Sequence, residues 1–155
     1  MKTRLLQFSI VLLLIGQSFL MWSPVYADSM ICPAHTPVTI DIKPGGYPNN
    51  INLSSRGLLA VAVLTTDTFD ASLFTPEMAH LSDAAAMEEA CMGSAYVRWA
   101  REDVDGDGRL DLVFFFAIQS LDFTTSTTTA TLMAHGSYGS ETLHIMGTDT
   151  VKIKN

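Results

Sequence analysis

Asp103, Asp105, Asp107 and Asp111 fall on alternate positions of the run 103–111, with Arg109 at the one alternate position left and Gly106 and Gly108 between them. Carboxylates at this spacing can turn toward one hard cation only if the backbone curls tightly, and glycine is the residue that enters the required left-handed conformations without strain. Calcium suits such a loop. It takes six to eight oxygen ligands at about 2.3–2.6 Å and accepts irregular geometry, whereas magnesium demands near-ideal octahedral coordination and gives up water reluctantly. The bland alternative is an exposed acidic turn with no metal. Four like charges crowded into nine residues repel one another, which weighs against it.

With Asp103 as position 1, Asp105 is position 3, Asp107 position 5, Gly108 position 6, Arg109 position 7 and Asp111 position 9. These match the first nine positions of the helix-flanked EF-hand calcium loop, in which position 7 contributes only its backbone carbonyl. Position 12 should be a bidentate glutamate and is Phe114. Phe114 belongs to an apolar run with no helix pattern, so the loop is similar to the strand-loop-strand calcium turns of integrin-type propeller repeats. The expected ligands are the side chains of Asp103, Asp105, Asp107 and Asp111 and the carbonyl of Arg109, with Glu102 or water completing the shell. Without a bidentate glutamate the expected affinity is weak, about 10⁻⁴–10⁻³ M or moderately tighter.

Other chemistry is sparse. His35, His80, His135 and His144 never fall within four residues of one another, which is not the ligand spacing of a zinc site. No Gly-x-Ser-x-Gly elbow or Ser-x-x-Lys motif occurs. Gly45-Gly46 lacks the Lys-Ser/Thr that a phosphate-cradling loop needs. Asp41 with Asp67 or Asp70 could pair as carboxylates, although solvated turn positions are the simpler reading. Tyr96 and Trp99 beside the acidic loop read as core and rim residues, with an aromatic platform for sugar stacking as the functional alternative.

The elements that would hold the loop read as strands. Val38–Lys43 alternates apolar and polar residues, the period-two pattern of a half-buried strand. Pro44–Asn50 is turn chemistry. Residues 51–53 begin a short strand, and Leu58–Leu64 is a continuous apolar run of central-strand length. Thr75-Pro76-Glu77 carries a helix-start signature, and a short helix or insert is expected over residues 83–91. Tyr96–Arg101 and Leu112–Ile118 are strands flanking the acidic loop, Thr127–Ala134 is another, Gly136–Ser140 a turn, and Thr150–Lys154 the closing strand. The expected fold is all-β: an Ig-like antiparallel β-sandwich of about seven to nine strands.

Composition sets the outer bounds. The 155-residue chain carries 16 acidic and 9 basic residues, a formal net charge of −7. Lys2 and Arg4 precede a mostly apolar stretch from Leu5 to Trp22, and Val25-Tyr26-Ala27 has small residues where a signal peptidase cuts. The expected organisation is a signal peptide over 1–27, an N-terminal tail over 28–36 and a calcium-binding β-sandwich domain over 37–155. Loss of Lys2 and Arg4 would deepen the net charge to −9, which disfavours nucleic acid and anionic membranes as partners and leaves no membrane span. An exported protein can pair Cys32 with Cys91, a loop closure contributing about 4 kcal/mol in the chain-entropy account.

The sequence blocks resemble a recurrent module of bacterial secreted proteins. The opening block is Val38–Gly45 with Tyr47-Pro48-Asn49 and Ile51-Asn52-Leu53. The second is Leu58–Leu64 followed by Thr66–Asp70. The third is Glu102–Val113, and the last pairs Thr129–Leu132 with Gly147–Ile153. The resemblance spans roughly residues 37–154 and implies a β-sandwich accessory domain, often attached to larger exported proteins, with the Asp103–Asp111 loop as the transferable site and no catalytic residues. Ala60 replaces a usual proline, and residues 83–95 form an alanine- and methionine-rich insert containing Cys91. The functional expectation is a secreted, periplasmic or cell-surface calcium-binding module with a protein or glycan partner. A purely structural envelope component is the alternative, and a hydrolase the least supported.

Overall fold

The computed structural model describes residues 34–83 and 98–154. Strands make up 55% of the structure and helix 6%, so the chain is an all-β sandwich. In chain order the strands are β1 (Thr36–Pro37), β2 (Ile40–Ile42), β3 (Asn50–Asn52), β4 (Leu58–Val63), β5 (Phe74–Asp83), β6 (Arg98–Glu102), β7 (Asp111–Ala117), β8 (Thr129–Tyr138), β9 (Glu141–Thr150) and β10 (Lys152–Lys154). One sheet has the order β2-β4-β7-β6 and the other β1-β9-β8-β5, while β3 and β10 form a separate pair. The long pairings are antiparallel, as expected. The short pairings β1–β9 and β3–β10 are parallel, and the described residues hold ten strands.

The core follows from period-two alternation. Leu59, Val61 and Val63 of β4 and Leu112, Phe114 and Phe116 of β7 meet Ala79, Leu81, Ala130, Leu132, Ala134 and Ile145 of the facing sheet. Ala62 and Val113 are buried on the other side of the first sheet, which is why β4 and β7 read as unbroken apolar runs. Complete burial of a residue such as Phe114 contributes about 2–3 kcal/mol. Among the described residues, no helix is long and apolar enough to cross a membrane.

Two local expectations are corrected. Thr75-Pro76-Glu77 does not start a helix; it lies inside β5, which pairs with β8 from Phe74 to Asp83 around a bulge between Pro76 and Met78. The short 3₁₀ turn lies just before it, over Ala71–Leu73, where Asp70 caps the Ser72 N–H. Cross-strand pairing of nine residues outweighs a local helix signal. Gly136 is likewise a strand residue and not the start of a turn; β8 runs through it to Tyr138. A Cβ at Gly136 would collide with the Thr75 carbonyl oxygen and crowd Pro76 Cα at 2.8 Å, so glycine there permits close backbone approach beside the bulge. The expected helix or insert over 83–91, the Cys32–Cys91 pairing and the segment 1–27 lie outside the described residues, apart from Asp83 at the end of β5.

Candidate metal centre

The acidic loop joins β6 to β7, whose pairing closes at Glu102 opposite Asp111. Gly106 and Gly108 take φ of +79° and +87°, the left-handed conformations that glycine tolerates. The aspartates organise the curl through their own backbone. Asp103 accepts from the Gly106 N–H at 2.8 Å with one oxygen and from the Gly108 N–H at 3.0 Å with the other. Asp105 accepts from the Asp107 N–H at 3.1 Å, and Asp107 from the Arg109 N–H at 2.8 Å. These short-range bonds are the usual means by which aspartate stabilises turns.

Three of the five expected ligands come together. One carboxylate oxygen from each of Asp103, Asp105 and Asp111 lies within 4.8 Å of the others. Asp103 and Asp105 are exposed, whereas Asp111 is completely buried. Asp107 does not belong to this group. Its carboxylate receives the Arg109 guanidinium, with contacts of 2.7 Å to Nε and 2.6 Å to Nη2. That hydrogen-bonded cation holds the Asp107 carboxyl below the ordinary carboxylate range and raises Arg109 in return. Arg109 also reaches Asp67 at 3.3 Å, so Asp67 is an ion-pair partner of the loop and Asp70 a turn cap.

Asp111 is held from two sides. Thr65 N–H donates to its Oδ1 at 2.8 Å and Val104 N–H to its Oδ2 at 3.0 Å. Thr65 Oγ1 donates to the Leu110 carbonyl and accepts from the Ala71 N–H. The segment 64–73 therefore buttresses the acidic loop, and Arg101 adds to this by donating to the Ser72 and Phe74 carbonyls. Sequence reasoning missed Thr65 entirely. A buried aspartate at the edge of an apolar strand was the available signal, because such a group requires donors from elsewhere in the fold.

A shallow groove of about 320 Å³ runs beside the loop, bounded by Glu102, Asp103, Ala60 and Phe115. Trp99 packs against the core cluster and carries the Arg101 guanidinium 4.9 Å above its ring, so its face is already occupied. Tyr96 lies outside the described residues. Asp41 stands near Asp149 instead of Asp67 or Asp70; burial first, and the Asp149 charge second, raise its carboxyl above the ordinary value. The histidines, dispersed in sequence, do not stay apart in space: His144 contacts both His35 and His135.

No family model, curated protein or solved structure matches the chain.

Proposed function

We propose that this protein is an exported β-sandwich module stapled by one structural calcium ion in the 103–111 loop. The observation that carries the reading is the convergence of Asp103, Asp105 and Asp111 on a common point, because three carboxylates in that arrangement repel one another until a cation joins them. Asp111 anchors the set to the buried start of β7, so a bound ion would link the exposed turn to the core strand. The Arg109 carbonyl and water would add ligands. Asp107 would join only by giving up its pairing with Arg109, a competition that agrees with weak, extracellular-range affinity. Export rests on the basic, apolar and small-residue pattern of residues 1–27. The accessory, partner-binding role rests on the sequence blocks alone, with a protein or glycan as the partner. The calcium has no helix to swing and serves stability, and no catalysis is assigned.

Calcium added to chelated protein tests this reading. At a hundredfold excess over Kd, binding contributes about 2.7 kcal/mol, which raises the melting temperature of a domain this size by on the order of 10 °C. Asp105→Asn with Asp103→Asn should abolish the calcium response. An unchanged melting curve with excess calcium and with excess chelator would sink the proposal.

A further inference from the structure

The second sheet gathers soft-metal ligands on the face turned away from the core. In β8, Ala130, Leu132 and Ala134 point inward, so alternation sends Met133 and His135 outward. His135 stands directly opposite His144 of β9 on one side and Met78 of β5 on the other. In the next outward row, Met133 stands opposite Met146 and His80. The β1–β9 register sets Thr36 beside Ile145 and brings His35, the residue before β1, against His144. The four histidines of the chain and the three methionines among the described residues thus occupy two adjacent rows of one sheet face.

Two imidazole pairs, both involving His144, approach the spacing of ligands sharing an ion. The His135 and His144 ring centroids are 5.5 Å apart and those of His35 and His144 6.0 Å. With metal–nitrogen bonds of about 2.0–2.1 Å, two imidazoles on one tetrahedral ion have centroids roughly 5 Å apart. Ring orientation is what must change: His135 and His144 are stacked at 29° and His35 meets His144 edge-on at 84°. As they stand the three sets of ring nitrogens do not all lie within 4.8 Å of one another, so binding requires the side chains to rotate about χ1 and χ2. Glu77, displaced by the β5 bulge, places a carboxylate oxygen 3.5 Å from His135 Nε2, as in the carboxylate–histidine pairs that orient metal-bound imidazoles.

We propose that His35, His135 and His144 form a copper site on the outer face of the β1-β9-β8-β5 sheet, with Met133 and Met146 as the adjoining thioethers. Copper is the fitting ion because divalent copper leads the first-row series at nitrogen sites and thioether sulfur favours the monovalent state. This site is separate from the acidic loop, whose all-oxygen donors suit hard cations.

Titration of the tag-free full chain with Cu(II), in excess calcium, tests the proposal by calorimetry and electron paramagnetic resonance. One equivalent should bind with hyperfine splitting from at least two nitrogens. His144→Gln and, separately, His135→Gln should each weaken binding at least tenfold while the strand signal in circular dichroism stays intact. Asp105→Asn should leave copper affinity unchanged. Under reducing conditions Met133→Leu with Met146→Leu should lose Cu(I) to a competing chelator at least tenfold more readily. Copper binding that survives both histidine substitutions, or a spectrum showing a single nitrogen, overturns the histidine site. Cu(I) retention unchanged by the paired leucines removes the thioethers from it.

Discussion

Single residues in this protein carry more than one duty, and Asp111 is the clearest case. It is a candidate calcium ligand, and it also satisfies two backbone donors, Thr65 N–H and Val104 N–H. The two roles separate experimentally. Asp111→Ala should destabilise the chelated, calcium-free protein by about 2–4 kcal/mol in urea unfolding, because buried donors lose their acceptor. Asp105→Asn, at an exposed position, should cost little in chelator and act only on the calcium response. Asp41 offers a test of opposite sign. Its folded-state carboxyl is raised by burial and by Asp149. Its protonated form therefore favours folding below the ordinary carboxylate pKa, and that contribution is lost as pH rises through the folded-state value. Asp41→Asn should accordingly raise the melting temperature at neutral pH and show little advantage at the acid end of a pH series. Asp149 itself is a poor choice for the same experiment, since its Oδ2 accepts from the Ile42 N–H and from Asn49 Nδ2.

At the level of elements, the β6–loop–β7 hairpin was readable from the alternation of Asp and Gly followed by Leu112–Ile118, because turn chemistry and continuous apolarity are local properties. The start of β5 was not. Thr75-Pro76 has the local form of a helix entry, and only the nine-pair register with β8, with Gly136 admitting the Thr75 carbonyl, turns it into a bulged strand. Gly136→Ala should therefore destabilise by roughly 1–3 kcal/mol, the cost of forcing a side chain into a filled contact, measured by denaturant midpoint at unchanged slope. β9 passed unnoticed as a strand for a related reason. Gly147 interrupts its pattern, yet glycine is required there because a Cβ would press on Ile40 Cγ2 and the Val38 carbonyl.

Across the whole molecule, the two proposed metal sites divide between the two sheets. The β2-β4-β7-β6 sheet ends in the aspartate loop, and the β1-β9-β8-β5 sheet presents the histidine and methionine rows. The pH response should differ accordingly. His144 is depressed in the folded state, so it carries fewer protons there than in the unfolded chain. Stability should fall as pH drops below the ordinary histidine value of about 6.5 toward the lowered one. His144→Gln should flatten that part of a stability-versus-pH curve; a slope between pH 7 and 5 unchanged by this substitution would remove His144 as its source.

The sequence by itself determined the all-β class, the central strands β4 and β7 and the place of the acidic loop between two strands. Each follows from short-range pattern: alternation, unbroken apolar runs, and carboxylates spaced around glycines. Tertiary structure decided which of those carboxylates converge, since the Asp107–Arg109 pairing and the support of Asp111 by Thr65 depend on how segment 64–73 packs against the loop. It alone decided that His35, His135 and His144 are neighbours. Their separation along the chain hides them, and strand register, a relation between segments far apart in sequence, brings them into one row.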